Sequence, residues 1–226
     1  MKNLLKDSKA YYQDNDYYEI FSQAEDYENK VRDYIKSLIK DKIVLDAGCG
    51  TGKFLETIEK DAQKYIGIDL SNDQLIKAKS KSKKSNSIFI SSNLTNIPLE
   101  DNSVDLIISS WVLGTITELE ERNKALFELK RVLKKDGIMV LVENAENSEF
   151  EQLRDRDKDK RTKIYNSWIT QNEFKLEKTF NTYFKFKTLP IAIKCFNVIY
   201  GETVSTKISS KIIDHKINIY TFQKKS

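Results

Sequence analysis

Histidine is nearly missing from this 226-residue chain and occurs once, at His215. A histidine general base is therefore not supported, and His215 reads as surface or hairpin structure at the start of a last strand. Cysteine is almost as scarce. Cys49 and Cys195 lie too far apart in sequence for a metal knuckle or a redox pair, so no metal is expected and a reducing cytoplasm is the expected location. Low-complexity linkers and internal repeats are absent. So are long apolar runs: Ile138 to Val142 is strand-sized, and the N-terminus turns polar at Lys6 and Asp7 before an apolar region of signal-peptide length can form. No membrane span is expected.

Charge of one sign is also lacking. The 38 basic and 34 acidic residues are interspersed and leave a net charge of +4, which reads as a solvated surface. The strongest basic clusters are Lys77, Lys79, Lys81, Lys83 and Lys84, and the mixed run from Arg154 to Lys163. Neither carries an aromatic among its basic residues, as a nucleic-acid surface would, so they read as a solvated helix end and a solvated loop, and nucleic acid is not the expected partner. With 39% apolar residues the chain has material for one substantial core.

What the chain does have is concentrated between Ile43 and Leu70. The apolar run Ile43 to Leu45 reads as a buried strand, and Asp46-Ala47-Gly48-Cys49-Gly50-Thr51-Gly52 follows as a turn that approaches a ligand closely. A second strand, Tyr65 to Leu70, carries Asp69. A dinucleotide fingerprint would place its third glycine at Lys53, and a phosphate loop fails on one missing residue and on Phe54 in place of Ser or Thr. The acid at the end of the second strand suits both hydroxyls of a ribose. Together these imply a pocket for a ribose without a pyrophosphate.

Strands and helices then alternate. Positions Ala24, Tyr27, Val31, Tyr34 and Leu38 predict one amphipathic helix, and Phe54, Leu55 and Ile58 a second. Ser71 with Gln74 and Thr117 with Glu120 read as capping boxes, the latter opening a helix whose apolar face is Leu119, Leu126, Leu129 and Leu133 and which stops at Gly137. Ile88 to Ile90, Val104 to Ser110 and Ile138 to Val142 are strands. Further on, Phe174, Leu176, Phe180, Phe184 and Phe186 predict a long strand with one face buried, Pro190 and Gly201 bracket a helix, and Lys216 to Gln223 is a final strand. The alternation implies right-handed crossovers, a parallel sheet and ligands at the carboxyl ends of its strands.

Val44 to Gly52 resembles the first motif of class I S-adenosylmethionine-dependent methyltransferases. Ser92 to Asp105 is similar to that family's exit from strand three and its Pro-containing connection into strand four, and Arg131 to Gly137 to the turn before strand five. The resemblance covers roughly residues 40 to 145 and points to the small-molecule, ubiquinone/menaquinone methyltransferase-like branch. It implies a Rossmann-like α/β fold with a seven-stranded, mostly parallel sheet in the order 3-2-1-4-5-7-6, helices on both faces and an antiparallel strand 7. Residues 1–40 would be a helical lid segment and 41–226 the methyltransferase domain.

The resemblance also implies the cofactor, S-adenosylmethionine, released as S-adenosylhomocysteine. By position Gly48, Cys49, Gly50 and Gly52 lie against it, with Asp46 near its ammonium group, Asp69 on the ribose and Leu70 at the adenine. Asn93 stands where the family usually has Asp, and it carries over with Leu94; Ser110 at the exit of strand four completes the set. Tyr18, Trp111 and Glu143 are the candidate catalytic residues, each with core packing as its alternative, as for Tyr11, Tyr12, Tyr17, Phe21, Asn144 and Trp168. The function implied is methyl transfer to an oxygen, nitrogen or carbon nucleophile of a small-molecule acceptor. An RNA or protein methyltransferase and a noncatalytic cofactor-binding sensor or partner remain as alternatives, and the oligomeric state is open.

Overall fold

The computed structural model describes residues 15–225, so Tyr11 and Tyr12, and with them part of the expected lid segment, lie outside the described residues. The elements run in the order α1 (Asn15–Ala24), α2 (Lys30–Ile39), β1 (Ile43–Ala47), α3 (Leu55–Asp61), β2 (Lys64–Asp69), α4 (Asn72–Lys81), β3 (Ile88–Ser91) and β4 (Val104–Ser110). After a short 3₁₀ turn at Leu113–Thr115 come α5 (Leu119–Val132), β5 (Leu133–Asn144), α6 (Glu149–Leu153), α7 (Arg156–Asp159) and α8 (Arg161–Gln171). The chain then forms β6 (Lys175–Lys185), α9 (Leu189–Tyr200), α10 (Glu202–Ser205) and β7 (Ile212–Gln223). The strands form one sheet in the order β3-β2-β1-β4-β5-β7-β6, as the resemblance implies. Strands β1 to β5 pair in parallel. β7 runs the other way: Ala145 N–H donates to Lys216 C=O and Lys224 N–H to Gly137 C=O, so its numbering rises as that of β5 falls.

The chain divides into two compact units. One comprises residues 32–142 and the stretch from Tyr220 onward. Its strands read as near-continuous apolar runs because both faces of a parallel sheet are covered; Val44, Leu45, Ile68, Leu106, Ile107, Ile108, Val140 and Leu141 are fully buried. Lys224 closes this unit, its ammonium donating to the carbonyls of Lys130 (2.8 Å) and Leu133 (2.7 Å) at the end of α5 and to Asn102 Oδ1 (2.9 Å). Arg131 ties down the Pro98 connection with bonds to Ile97 C=O and Leu99 C=O, each 2.8 Å.

The other unit comprises residues up to Val31 and 143–219. Its core is aromatic: Phe21, Phe150, Phe184, Phe186 and Phe196 are buried together, with Phe21 and Phe184 ring centroids 4.8 Å apart. His215 sits inside this core, between Phe150 and Phe184 at 4.8 Å from each, with Nε2 2.9 Å from Asn144 Oδ1 and Nδ1 3.4 Å from Glu25 Oε1. It is 0% exposed, which corrects the surface or hairpin reading. The last strand begins four residues earlier than its sequence pattern predicts, at Ile212, and so carries the histidine inward.

Further expectations are corrected. The single N-terminal helix is two, because Asp26 and Asn29 adopt left-handed conformations and Asp26 Oδ2 accepts from Val31 N–H at 2.9 Å, opening α2 afresh. Thr117 does not cap α5; Glu118 holds that place without a side-chain bond, and Leu119 is 56% exposed rather than on the buried face. α5 ends at Val132, and Leu133, expected on its apolar face, already begins β5, five residues before the predicted strand start. The run from Arg154 to Lys163 is no loop: it is helical through α7 into α8 and carries ion pairs such as Lys158 with Asp155 at 2.8 Å. In β6 only the second half buries a face, and Leu176 is exposed. The Ser71 cap and the helix between Pro190 and Gly201 are as read: Ser71 Oγ accepts from Gln74 N–H, and Thr188 Oγ1 from Ile191 N–H.

Candidate cofactor-binding site

The register of the sheet brings most of the expected residues to one edge. Asp46 lies opposite Gly67 on β2 and Ile108 on β4, Asp69 opposite Ser91 on β3, and Ser110 opposite Val142 on β5. The glycine loop, Asp69, Leu70, Asn93, Leu94 and Ser110 therefore lie at, or just past, the carboxyl ends of β1 to β4.

The loop is anchored by its backbone. Gly48 and Cys49 N–H both donate to Ile68 C=O, at 2.7 and 3.0 Å, and Gly52 N–H to Cys49 C=O at 2.9 Å. Gly48 has a φ of +77°, and a Cβ there would meet Val112 Cγ2 at 2.2 Å. Glycine is required on both counts. Asp69 joins the loop to the next turn: Oδ2 accepts from Gly50 N–H at 2.8 Å and Oδ1 from Ser71 N–H at 2.9 Å. Burial pushes its carboxyl up, and the backbone bonds from Ser71, Gly50 and Leu70 oppose that rise. With about four acceptor positions on its two oxygens, the carboxylate keeps capacity beyond these backbone bonds.

Beneath the loop lies a second acid. Asp46 is 1% exposed, takes one bond from Tyr65 Oη at 3.1 Å through Oδ2, and has no hydrogen-bond partner at Oδ1. Burial pushes its carboxyl up to about 7, the Tyr65 bond opposes this, and the negative charge of Asp69 adds to it. Cys49 is buried against the same group. Its thiol is held well above the ordinary range by burial and then by Asp46 and Asp69, which is unsuited to a nucleophile.

The remaining residues are placed as follows. Leu70 is 43% exposed and Leu94 is buried. Asn93 is half-buried and its Oδ1 accepts from Thr95 N–H at 3.1 Å. Ser110 and Trp111 are half-buried. Trp111 has a φ of +53°, its N–H donates to Val142 C=O at 3.0 Å, and the Lys53 ammonium stands 4.1 Å above its ring. Tyr18 and Glu143 belong to the other unit, where Tyr18 is half-buried and Glu143 is buried and accepts from Tyr165 Oη at 2.8 Å.

Sequence reasoning missed Tyr65, Gly67, Lys53 and Arg32 as parts of the site. The first two had a signal: Tyr65, Gly67 and Asp69 alternate along β2 and share a face. A Cβ on Gly67 would come within 2.9 Å of the Tyr65 ring and 3.0 Å of Cys49 Sγ. Arg32, which donates from Nη1 to Lys53 C=O at 2.7 Å, is far from the loop in sequence and had none.

A family profile described as a methyltransferase domain matches residues 45–141. A ubiquinone/menaquinone biosynthesis C-methyltransferase of Campylobacter jejuni is 39% identical over 113 residues, covering 47% of this chain and 46% of that protein. The chain thus spans about half the length of the curated relatives it matches first. An uncharacterized protein of Methanocaldococcus jannaschii is 29% identical over 220 residues, covering 88% and 81% of the two chains. Among solved structures, the YcgJ protein of Bacillus subtilis superposes with a TM-score of 0.61 at 18% identity, covering 86% of this chain and 98% of its own. The fold is the Rossmann-like fold of the class I methyltransferases. Residues 45–141 are thus similar to a methyltransferase domain, and the chain takes the fold of the solved structure it superposes on.

Proposed function

We propose that this protein transfers a methyl group from S-adenosylmethionine to an oxygen, nitrogen or carbon nucleophile of a small-molecule acceptor. The observation that carries this reading is Asp69, a buried carboxylate bonded to both Gly50 and Ser71 with acceptor positions left for the two hydroxyls of a ribose. When bound, S-adenosylmethionine supplies a methyl group already activated on its sulfonium sulfur. The chain's own tasks are then binding, orientation and exclusion of water. Asp69 holds the ribose, Leu70, Asn93 and Leu94 serve the adenine, and the glycine loop lies along the rest. Asp46, buried with an unpartnered oxygen, lays negative charge under a cationic ligand. Holding donor and acceptor in line at about 3 Å supplies most of the acceleration.

Support for a small-molecule acceptor comes from the Campylobacter jejuni enzyme, named for quinone biosynthesis, and from a malonyl-[acyl-carrier protein] O-methyltransferase of Hamiltonella defensa that is 31% identical over 102 residues. Among the described residues no helix is long and apolar enough to cross a membrane. Two free buried cysteines, Cys49 and Cys195, suit a reducing cytoplasm. The segment 1–40 keeps its reading as a lid, tested by its protection from limited proteolysis when S-adenosylhomocysteine is added.

Calorimetry with S-adenosylhomocysteine tests the binding half. Wild type binds it, and Asp69→Ala binds more weakly by about 1.5 to 3 kcal/mol, the loss of hydrogen bonds to a charged group; equal affinities sink the ribose assignment. Incubation with radiolabelled S-adenosylmethionine and a cell extract tests the transfer. Label in small metabolites supports the proposal, label in RNA or protein shifts it to a macromolecular acceptor, and binding without any transfer shifts it to a sensor or partner protein.

A further inference from the structure

Strand β6 is an edge strand of the sheet, and its two halves are treated differently. Phe186 N–H donates to Lys211 C=O at 2.9 Å, and the same antiparallel register sets Thr179 Oγ1 2.7 Å from Asn218 Oδ1. Even-numbered residues of β6 therefore turn their peptide groups inward, and odd-numbered ones turn theirs outward. In the second half two outward carbonyls are occupied: Tyr183 C=O accepts from Tyr27 N–H at 3.4 Å, and Asn181 C=O from the Lys30 ammonium at 2.8 Å. The first half has no such cover. Lys175 to Thr179 are all exposed, and among the described residues no helix or loop bonds the outward peptide groups of Lys175, Glu177 and Thr179.

The side chains repeat this division. Thr182, Phe184 and Phe186 alternate along one face and are buried, whereas Leu176, on the same face, is 52% exposed. A row of outward peptide groups beside an exposed leucine is a template for another strand. Lysine on an edge ordinarily blunts it by repelling a second copy. Here Lys175 and Glu177 flank Leu176 with opposite charges on one face, so the segment is complementary to itself when two copies run antiparallel about Leu176. Each Lys175 then stands opposite a Glu177, and both use outward groups, so each pair exchanges two main-chain bonds. Leu176 meets its own copy at the closer, non-hydrogen-bonded position, and Lys178 falls opposite the uncharged Phe174. Centring the pairing on Glu177 or Lys178 instead sets like charges face to face. Charge therefore selects one register.

We propose that the first half of β6 is an interaction surface for a second copy of this chain, paired antiparallel about Leu176 across a twofold axis. The contact is isologous, with the same patch used by both copies, and it closes on itself as a dimer. A paired stretch this short buries little area, so the dimer is weak and forms at high protein concentration. The inference does not depend on the function proposed above.

Sedimentation velocity of the full chain, from low-micromolar to near-millimolar concentration, tests the proposal. Wild type is expected to pass from monomer to dimer across that range. Lys175→Glu and Glu177→Lys each bring like charges together and should each weaken association by about tenfold or more. The two changes combined restore the complement with the signs exchanged and should return the wild-type isotherm. Both side chains are exposed, so circular dichroism melts of all three variants should match wild type. A wild type that stays monomeric throughout overturns the proposal, as occupation of this edge by a segment of the same chain would require. Association that both single variants leave unchanged overturns it too, and so does a double variant no better than the singles.

Discussion

The phenol of Tyr65 and the carboxylate of Asp46 meet at 3.1 Å beneath the glycine loop, and among the described residues that bond is the sole hydrogen bond to an acid that is 1% exposed. Such an acid is a standing liability in the absence of a cationic ligand. Its carboxyl is pushed up to about 7, above the ordinary 3.8, so between these values the folded chain keeps a proton that the unfolded chain releases. Folding stability contributed by this group is intact below about pH 4, falls as pH rises to about 7, and is level beyond. Asp46→Asn keeps the bond from Tyr65 and removes the titration. Thermal melts of the ligand-free proteins should show the variant gaining on wild type between pH 5 and pH 8, by on the order of 2 to 4 kcal/mol. A pH-independent difference would contradict this account.

Gly48 and Val112 are coupled by space. Gly48→Ala combines a left-handed backbone with a methyl 2.2 Å from Val112 Cγ2 and should destabilise by about 2 to 4 kcal/mol in urea melts. Adding Val112→Ala relieves the contact but not the φ of +77°, so the pair should be less destabilising than the two changes summed, with about 1 to 2 kcal/mol remaining for the backbone. Strict additivity would mean the loop moves aside instead.

In the aromatic unit the coupled pair is His215 and Glu25. His215→Ala opens a cavity between Phe150 and Phe184 and leaves the Glu25 carboxylate, its side chain 7% exposed, without the imidazole 3.4 Å away. A loss of about 3 to 5 kcal/mol is expected. Glu25→Gln in the same background should recover part of it, whereas no recovery would show that the cavity alone accounts for the loss.

Much of this was legible from the sequence. Val104 to Ser110 is strand β4 with the bounds its apolar run predicts, and the Ser71 cap follows from local hydrogen-bond chemistry that needs no distant partner. Asp69 and the glycine loop were likewise visible, because close backbone approach restricts residue type at fixed positions. What was hidden depends on residues remote in sequence. His215 is buried by Phe150 and Phe184, and nothing beside it in the chain signals that. The start of α5 is set by Arg122 gripping the carbonyls of Leu113 and Ile116, which overrides the Thr117–Glu120 pattern. The break between α1 and α2 was readable in principle from Asp26 and Asn29, but the helical period runs straight through them.

Lys224 gathers the carbonyls at the end of α5, and its backbone pairs with Asp136 and Gly137, some ninety residues upstream. During synthesis on the ribosome, the nucleotide-fold half up to Val142 is complete in sequence long before the strand that seals its edge has been made. In that interval β5 presents an open edge, and the intervening segment 143–219, which carries most of the phenylalanine core, must emerge first. The order in which the chain is made therefore favours the aromatic unit settling before the cofactor-binding unit is closed.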